Sequence, residues 1–189
     1  MRPSFIIVTP TEMEADALKE AGVEVAVCGE GMVAAALFTE KIIRSRKPER
    51  LIMCGIAGAY NKGLSVGESV IVRSETIADL GAMRDGVFKP LFVSTYHCPL
   101  PAIEVGFRTA TSNSVNVSGL LDGGADIENM EGAGFFAACM ERGAGFIELR
   151  TISNYVSDKR DDWNIPLALR NMRRDLKILV DALGNYPNG

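Results

Sequence analysis

Glu14, Glu131 and Asn154 are the residues of this 189-residue chain whose type and setting could do acid–base or hydrogen-bonding chemistry on a polar substrate. Glu14 follows a short apolar run and Thr9-Pro10. A carboxylate just beyond the C-terminal end of a first strand is where open α/β sheets place ligand contacts. Thr11-x-x-Glu14 also spells a capping box, in which the glutamate satisfies a backbone donor, and the pattern alone favours that role. Glu131 opens a helical run, where the helix dipole favours its charge with or without a ligand. Asn154 sits just past the end of a strand, a place taken by turn asparagines and ligand-reading ones alike. Glu148 and Arg150 share one face of that strand, and the default expectation for them is a structural ion pair.

Gly29-Glu30-Gly31-Met32-Val33-Ala34 matches G-x-G-x-x-G/A between a strand and a helix. A dinucleotide site would also need an acidic residue closing the next strand to hold a ribose. That strand ends in Gly55, and Glu49 lies before it, so the match fails. Two readings stay open: a plain turn, or a loop of backbone N–H groups at a helix N-terminus suited to an anion or a polar ligand edge.

Composition narrows the chemistry further. His97 is the single histidine, which removes most zinc sites and leaves little room for a histidine-based triad. Cys28, Cys54, Cys98 and Cys139 are widely spread with no C-x-x-C spacing, so neither a metal nor a disulfide framework is expected. No cofactor is expected either. The net charge of −4 argues against nucleic acid or an anionic membrane as the main partner. The longest apolar uncharged stretch, residues 51–61, falls short of the roughly 18 residues of a membrane span. The first residues hold too short an apolar run for a secretory signal, and with no disulfide framework a reducing cytoplasm is expected.

The elements that must position these residues alternate in type. Strands are expected at 5–8, 23–28, 51–54, 69–73, within 103–117 and at 145–152. Helices are expected at 12–20, along Ala35, Phe38 and Ile42, at 131–142 and at 167–183. The last helix carries an apolar stripe of Leu169, Met172, Leu176, Leu179 and Leu183. Residues 75–101 show no clean period, and His97 reads as a loop residue beside Pro99 and Pro101. Alternating strands and helices predict a single α/β domain over 1–189, a three-layer α/β/α sandwich with a mixed, mostly parallel central sheet.

Gly55-Ile56-Ala57-Gly58-Ala59, Glu128-Asn129-Met130-Glu131-Gly132-Ala133 and Arg150-Thr151-Ile152-Ser153-Asn154, in that order, resemble the purine nucleoside phosphorylase and methylthioadenosine nucleosidase superfamily, and within it the futalosine hydrolase branch. The resemblance implies a cofactor-free N-glycosyl hydrolase acting on a small-molecule nucleoside, in an alternative menaquinone pathway. It implies at least a dimer, because pockets of the family are usually completed by a neighbouring subunit, with residues 75–101 as a contributor to the substrate's 5′ end. By the same resemblance Met130 and Glu131 pack on and hydrogen-bond the ribose, and Glu14 orients the attacking water. Ser153 and Asn154 lie beside the purine, Ala57 and Gly58 beneath the glycosidic bond, and Val115 at a base-stacking position.

Two departures from the family bear on substrate and nucleophile. Adenine-cleaving nucleosidases carry an aspartic acid at the position of Asn154. An amide cannot deliver a proton to N7, but it accepts from N7–H while donating to a 6-oxo group, which points to hypoxanthine as the leaving base. Phosphorylases place a phosphate-clamping arginine just before the glycine loop, where this chain has Ile52-Met53-Cys54, so water is the expected nucleophile. The alternatives are a methylthioadenosine or adenosylhomocysteine nucleosidase, a purine nucleoside phosphorylase, and a nucleoside-binding sensor without activity.

Overall fold

The computed structural model describes residues 5–19, 23–90, 94–99, 106–121 and 123–184. Strand β1 (Phe5–Thr9) is an apolar run buried along almost its whole length. It leads through Pro10 to helix α1 (Glu12–Leu18), where Thr11 and Glu14 form the expected capping box. Strand β2 (Val25–Val27) is followed by the glycine loop and α2 (Met32–Arg46). Gly31 is the N-cap of α2 at φ +90°, a backbone conformation that glycine adopts without a Cβ penalty.

Strand β3 (Arg50–Ala59) is longer than expected: it continues through Gly55-Ile56-Ala57-Gly58 instead of ending at Cys54. Glycines weaken a strand unless a neighbour needs the space. Here a Cβ on Gly55 would strike the Arg150 guanidinium and come within 3.1 Å of Glu14 Oε1. One on Gly58 would lie 3.2 Å from Asn154 Nδ2. Full-length parallel pairing with β10 (Gly145–Tyr155) carries the strand through these glycines.

The segment without a sequence period contains strands. Strand β4 (Ser69–Ile77) is followed by a hairpin of β5 (Gly81–Arg84) and β6 (Val87–Pro90), and then β7 (Ser94–His97). The hairpin turns on Asp85-Gly86, both at positive φ, a strong short-range hairpin signal that outweighs the poor alternation around it. His97 is therefore a strand residue, exposed and paired with Ser74, and not part of a loop. Of the 103–117 segment, residues 108–114 form β8 (Arg108–Ser114), while Ile103 and Pro101 lie outside the described residues. Strand β9 (Ile127–Asn129) precedes α3 (Gly132–Glu141), and α4 (Ile165–Gly184) ends the described chain.

The sheet is mixed and mostly parallel, as expected for an α/β protein. β1 pairs in parallel with β2 and β3, β3 with β10, and β8 with β4 and β9. β10–β4, β3–β9 and β4–β7 are antiparallel. Because β10 bonds both β3 and β4, strands β3, β10, β4, β8 and β9 close into a ring at one end of the sheet. Helices α2 and α3 cover one face over Phe135, Phe136 and Phe146, with ring centroids of Phe136 and Phe146 4.7 Å apart. On the other face α1 and α4 pack Leu18, Met172, Leu176, Leu179 and Leu183 against Ile7, Ile52 and Leu149. Among the described residues no helix is long and apolar enough to cross a membrane.

The α2–α3 contact is close enough to test. A Cβ on Gly134 would fall on the Met32 backbone carbonyl, which has no side-chain freedom with which to yield. Gly→Ala inside a helix is favourable by about 1 kcal/mol when nothing is in the way. Overpacking costs about 1–3 kcal/mol, so Gly134→Ala is expected to lower the melting temperature. A raised melting temperature would mean that the helices separate freely.

Candidate active site

The C-terminal ends of β1, β3 and β10, the β9–α3 junction and the segment after β8 surround a cavity of about 180 Å³. Glu14, Ala57, Gly58, Val115, Met130, Glu131, Ser153 and Asn154 all line it. Residues separated by up to 140 positions thus meet in one place, where strand ends in an α/β sheet leave a crevice.

Glu14 fills two roles at once. Its Oε2 accepts from Thr11 N at 3.0 Å and Thr11 Oγ1 at 2.7 Å, completing the cap. Its Oε1 accepts from Ile56 N at 2.9 Å on β3, so capping fixes the carboxylate against the cavity wall. Burial raises its pKa above the ordinary glutamate range, and the Thr11 and Ile56 hydrogen bonds oppose that rise.

Glu131 is the N-cap residue of α3, yet its side chain makes no bond to its own helix. Oε1 accepts from Gly31 N at 3.1 Å, and Oε2 from the Arg150 guanidinium at 3.3 and 3.4 Å. The anion received by the glycine loop is thus this chain's own carboxylate. Arg150 is 1% exposed and also donates to Asn129 Oδ1 at 2.9 Å and to the Ile56 carbonyl at 3.3 Å. Burial alone would lower its pKa, but Glu148 and Glu131 more than offset this and raise it, so the guanidinium stays charged. The expected Glu148–Arg150 ion pair is present at 2.7 Å. Arg150 does more than balance Glu148: it reaches the cavity and holds Glu131.

A register shift in β10 at Ser153 turns the last part of that strand toward the cavity. Ser153 Oγ lies 2.7 Å from Asn154 Oδ1, and Asn154 Nδ2 donates to the Tyr155 carbonyl at 2.9 Å. This orients the amide and leaves it one N–H and one acceptor site for a ligand.

Glu128, quoted in the motif above without a role, also lines the cavity. Its Oε1 accepts from Ser118 Oγ at 2.7 Å and Gly119 N at 2.9 Å, and its Oε2 accepts from the Tyr60 hydroxyl at 2.9 Å. It thereby ties the segment after Val115 to β3. Arg160, its guanidinium 4.1 Å from the Trp163 ring centroid, lines another part of the wall. Arg160 lies in no local pattern that would single it out, and Glu128 stands in the quoted motif at a strand position whose spacing does not distinguish it from a structural residue. Among the described residues, none from β4 to β8 reaches the cavity, so the contribution expected from residues 75–101 is not made within this chain's described part. Val115 itself is fully buried and in place on the wall. No group of three or more His, Cys, Asp or Glu among the described residues is arranged to hold a metal.

The family model of the Phosphorylase superfamily matches residues 11–109, more than half of the chain. Futalosine hydrolase of Thermus thermophilus is 28% identical over 227 aligned positions, which cover 95% of this chain and 96% of that protein. Among solved structures, native futalosine hydrolase of Helicobacter pylori superposes with a TM-score of 0.81 at 15% identity, over 98% of this chain and 99% of the other. The 5′-methylthioadenosine/S-adenosylhomocysteine nucleosidase of the same organism reaches 0.80 at 14% identity, over 98% of this chain and all of the other. At such identities these two structures speak to the fold, which they share with the chain.

Proposed function

The chain belongs to the Phosphorylase superfamily, and from that premise we propose that it is a nucleosidase hydrolysing the N-glycosidic bond of a 6-oxopurine nucleoside, with futalosine as substrate and hypoxanthine as the base released. The observation that carries this reading is the placement of Glu14, Glu131 and Asn154 on the walls of a single cavity.

Breaking the bond leaves positive charge on the sugar and negative charge on the purine. Glu131, held by Gly31 N and Arg150, accepts from the ribose hydroxyls and stabilises the oxocarbenium-like centre. Glu14, oriented by Thr11 and Ile56, takes a proton from the attacking water. Asn154 meets the purine, donating to the 6-oxo oxygen and, once a solvent water has given N7 its proton, accepting from N7–H. A phosphate nucleophile would need a clamp of its own, and Arg150 is already engaged by Glu131, Glu148 and Asn129. Hydrolysis is the reading this supports. The similarity to the Thermus thermophilus futalosine hydrolase supports futalosine as the substrate.

The test is base release followed by chromatography, with futalosine, inosine and methylthioadenosine, each with and without phosphate. Hypoxanthine released from futalosine without phosphate is expected. Cleavage of methylthioadenosine alone, an absolute need for phosphate, or binding of intact nucleoside without base release would overturn the reading. The first of these outcomes would favour the methylthioadenosine nucleosidase reading, which the shared fold with the Helicobacter pylori enzyme keeps in contention. Asn154→Asp should move specificity toward adenine nucleosides by about 10²-fold in the ratio of kcat/KM values, because a carboxylic acid there can protonate N7. An unchanged ratio would mean that Asn154 does not read the base.

We also place the enzyme in the cytoplasm as a homo-oligomer. Val33 and Leu37 of α2, 74% and 69% exposed and one turn apart, offer an apolar surface near the Gly31 edge of the site. Sedimentation of the purified chain checks the assembly.

A further inference from the structure

Behind Glu131 and Arg150 lies a group of buried acids that the proposed mechanism does not use. Glu75 on β4 and Glu148 on β10 are both fully buried, and with Glu131 they set three carboxyl groups around one guanidinium. Arg150 bonds Glu148 and Glu131 directly, while no bond from Arg150 to Glu75 is formed among the described residues. Glu75 is instead held by neutral donors: Asn129 Nδ2 at 2.6 Å and Ser114 Oγ at 2.7 Å. Both acids converge over Gly132. A Cβ there would strike the Glu75 carboxyl and lie 2.9 Å from Glu148 Oε1, so the two carboxyl groups face the same small space that the missing Gly132 side chain leaves. Glu148 Oε2 finds no donor among the described residues.

Three ionised carboxylates against a single cation cannot share a water-excluded space, because the uncompensated charge is too costly to bury. We propose that Glu75 and Glu148 hold one proton between them, with Glu75 as the neutral acid and Glu148 as the carboxylate, and that Glu148, kept ionised by this division, is the positioning residue which fixes Arg150 and through it Glu131. The assignment follows from the contacts, since the guanidinium bonds Glu148 and neutral groups bond Glu75. Burial first, and the Glu148 charge second, raise the Glu75 pKa well above the ordinary range. The other titratable groups near enough to feel the Glu148 charge are Cys139 on α3 and, on the α4 side of the sheet, Cys54 on β3, whose thiols burial keeps protonated. Asn129 links the acids to the site: its amide N–H bonds Glu75, while its Oδ1 accepts from Arg150 and from the Glu131 and Gly132 amides at the start of α3.

The shared proton can be examined without substrate. A protonated-carboxyl band is expected in the infrared spectrum at neutral pH, missing from Glu75→Gln, which swaps a neutral acid for a neutral amide. Glu75 holds its proton when folded at pH values where the unfolded chain has lost it, so stability is full below the unfolded-state pKa and falls as pH rises through the raised one. Glu75→Gln is expected to fold and to lose that decline in melting temperature. The Arg150 Nε–H resonance should stay sharp in Glu75→Gln and broaden in Glu148→Gln.

The role in positioning rests on the nucleosidase reading and is read in kcat. Glu75→Gln is expected to stay within about threefold of wild type, and Glu148→Gln to lose about tenfold or more as Glu131 loses its fixed partner. A Glu148→Gln chain that fails to fold beside an intact Glu75→Gln supports the same division of charge. A Glu75→Gln variant that unfolds, a wild-type spectrum without the Glu75 band, or wild-type kcat in Glu148→Gln would overturn the proposal. Should wild type cleave no nucleoside, the nucleosidase reading fails, while the infrared, melting and Arg150 resonance measurements still decide the acid pair and its hold on Arg150.

Discussion

Glu131→Gln is expected to lower kcat/KM for base release by about 10²–10³-fold, the usual loss when one preorganised group aimed at developing charge is removed. The amide keeps an acceptor for Gly31 N but turns an N–H group toward Arg150, where the carboxylate had accepted from both Nη atoms. It also brings no negative charge to an oxocarbenium-like centre. The loss should fall mainly on kcat, because the interaction is strongest in the transition state. A variant that only raises KM, with kcat unchanged, would restrict Glu131 to ground-state ribose binding. The fold should survive, since the α3 N-terminus is satisfied by Asn129 Oδ1 at 2.8 and 2.7 Å and does not depend on the Glu131 side chain.

Glu14→Gln should cost about 10²–10⁴-fold in kcat, because an amide cannot take the proton of the attacking water. Glu14 is also a capping residue, so a stability loss could be mistaken for a catalytic one, and Thr11→Ala separates the two. That variant removes the cap hydroxyl at about 1 kcal/mol of stability but leaves the Glu14–Ile56 hydrogen bond in place. It should keep most of its activity. The pH profile carries a sharper signature. Glu14 must be ionised to act as a base, so kcat/KM falls as pH drops through its raised pKa, at a pH above the ordinary glutamate range. The Thr11 hydrogen bond opposes the rise, so Thr11→Ala should move this acidic limb to still higher pH. An acidic limb unmoved in Thr11→Ala, together with near-normal activity in Glu14→Gln, would leave Glu14 as a cap and no more.

The capping box at Thr11 and the apolar stripe of α4 were legible because each is a local pattern of fixed spacing. So was the order of strands and helices that makes an α/β protein. The strands of residues 81–97 were not: the signal there was the Asp85-Gly86 turn, and the residues around it show no clean alternation. β3 was cut short for a related reason. Its glycines look like a loop until the Arg150 guanidinium and the Asn154 amide are seen to need the space that their missing Cβ atoms leave.

By itself the sequence determined which residue types stand at the strand ends: two glutamates, an asparagine and a glycine-rich third strand, with one histidine in the whole chain. Their identities restrict the chemistry to carboxylate and amide work. Only the tertiary structure decided what each group does in place. Glu14 reaches Ile56 across 42 positions, and Glu131 reaches Gly31 across 100. The Gly29-Glu30-Gly31 loop was open between a turn and an anion site until its anion proved to be Glu131. Contacts of that range leave no periodic trace in a sequence. They form where β1, β3 and β10 end together, and burial there gives Glu14 its raised pKa and Arg150 its crowd of carboxyl partners.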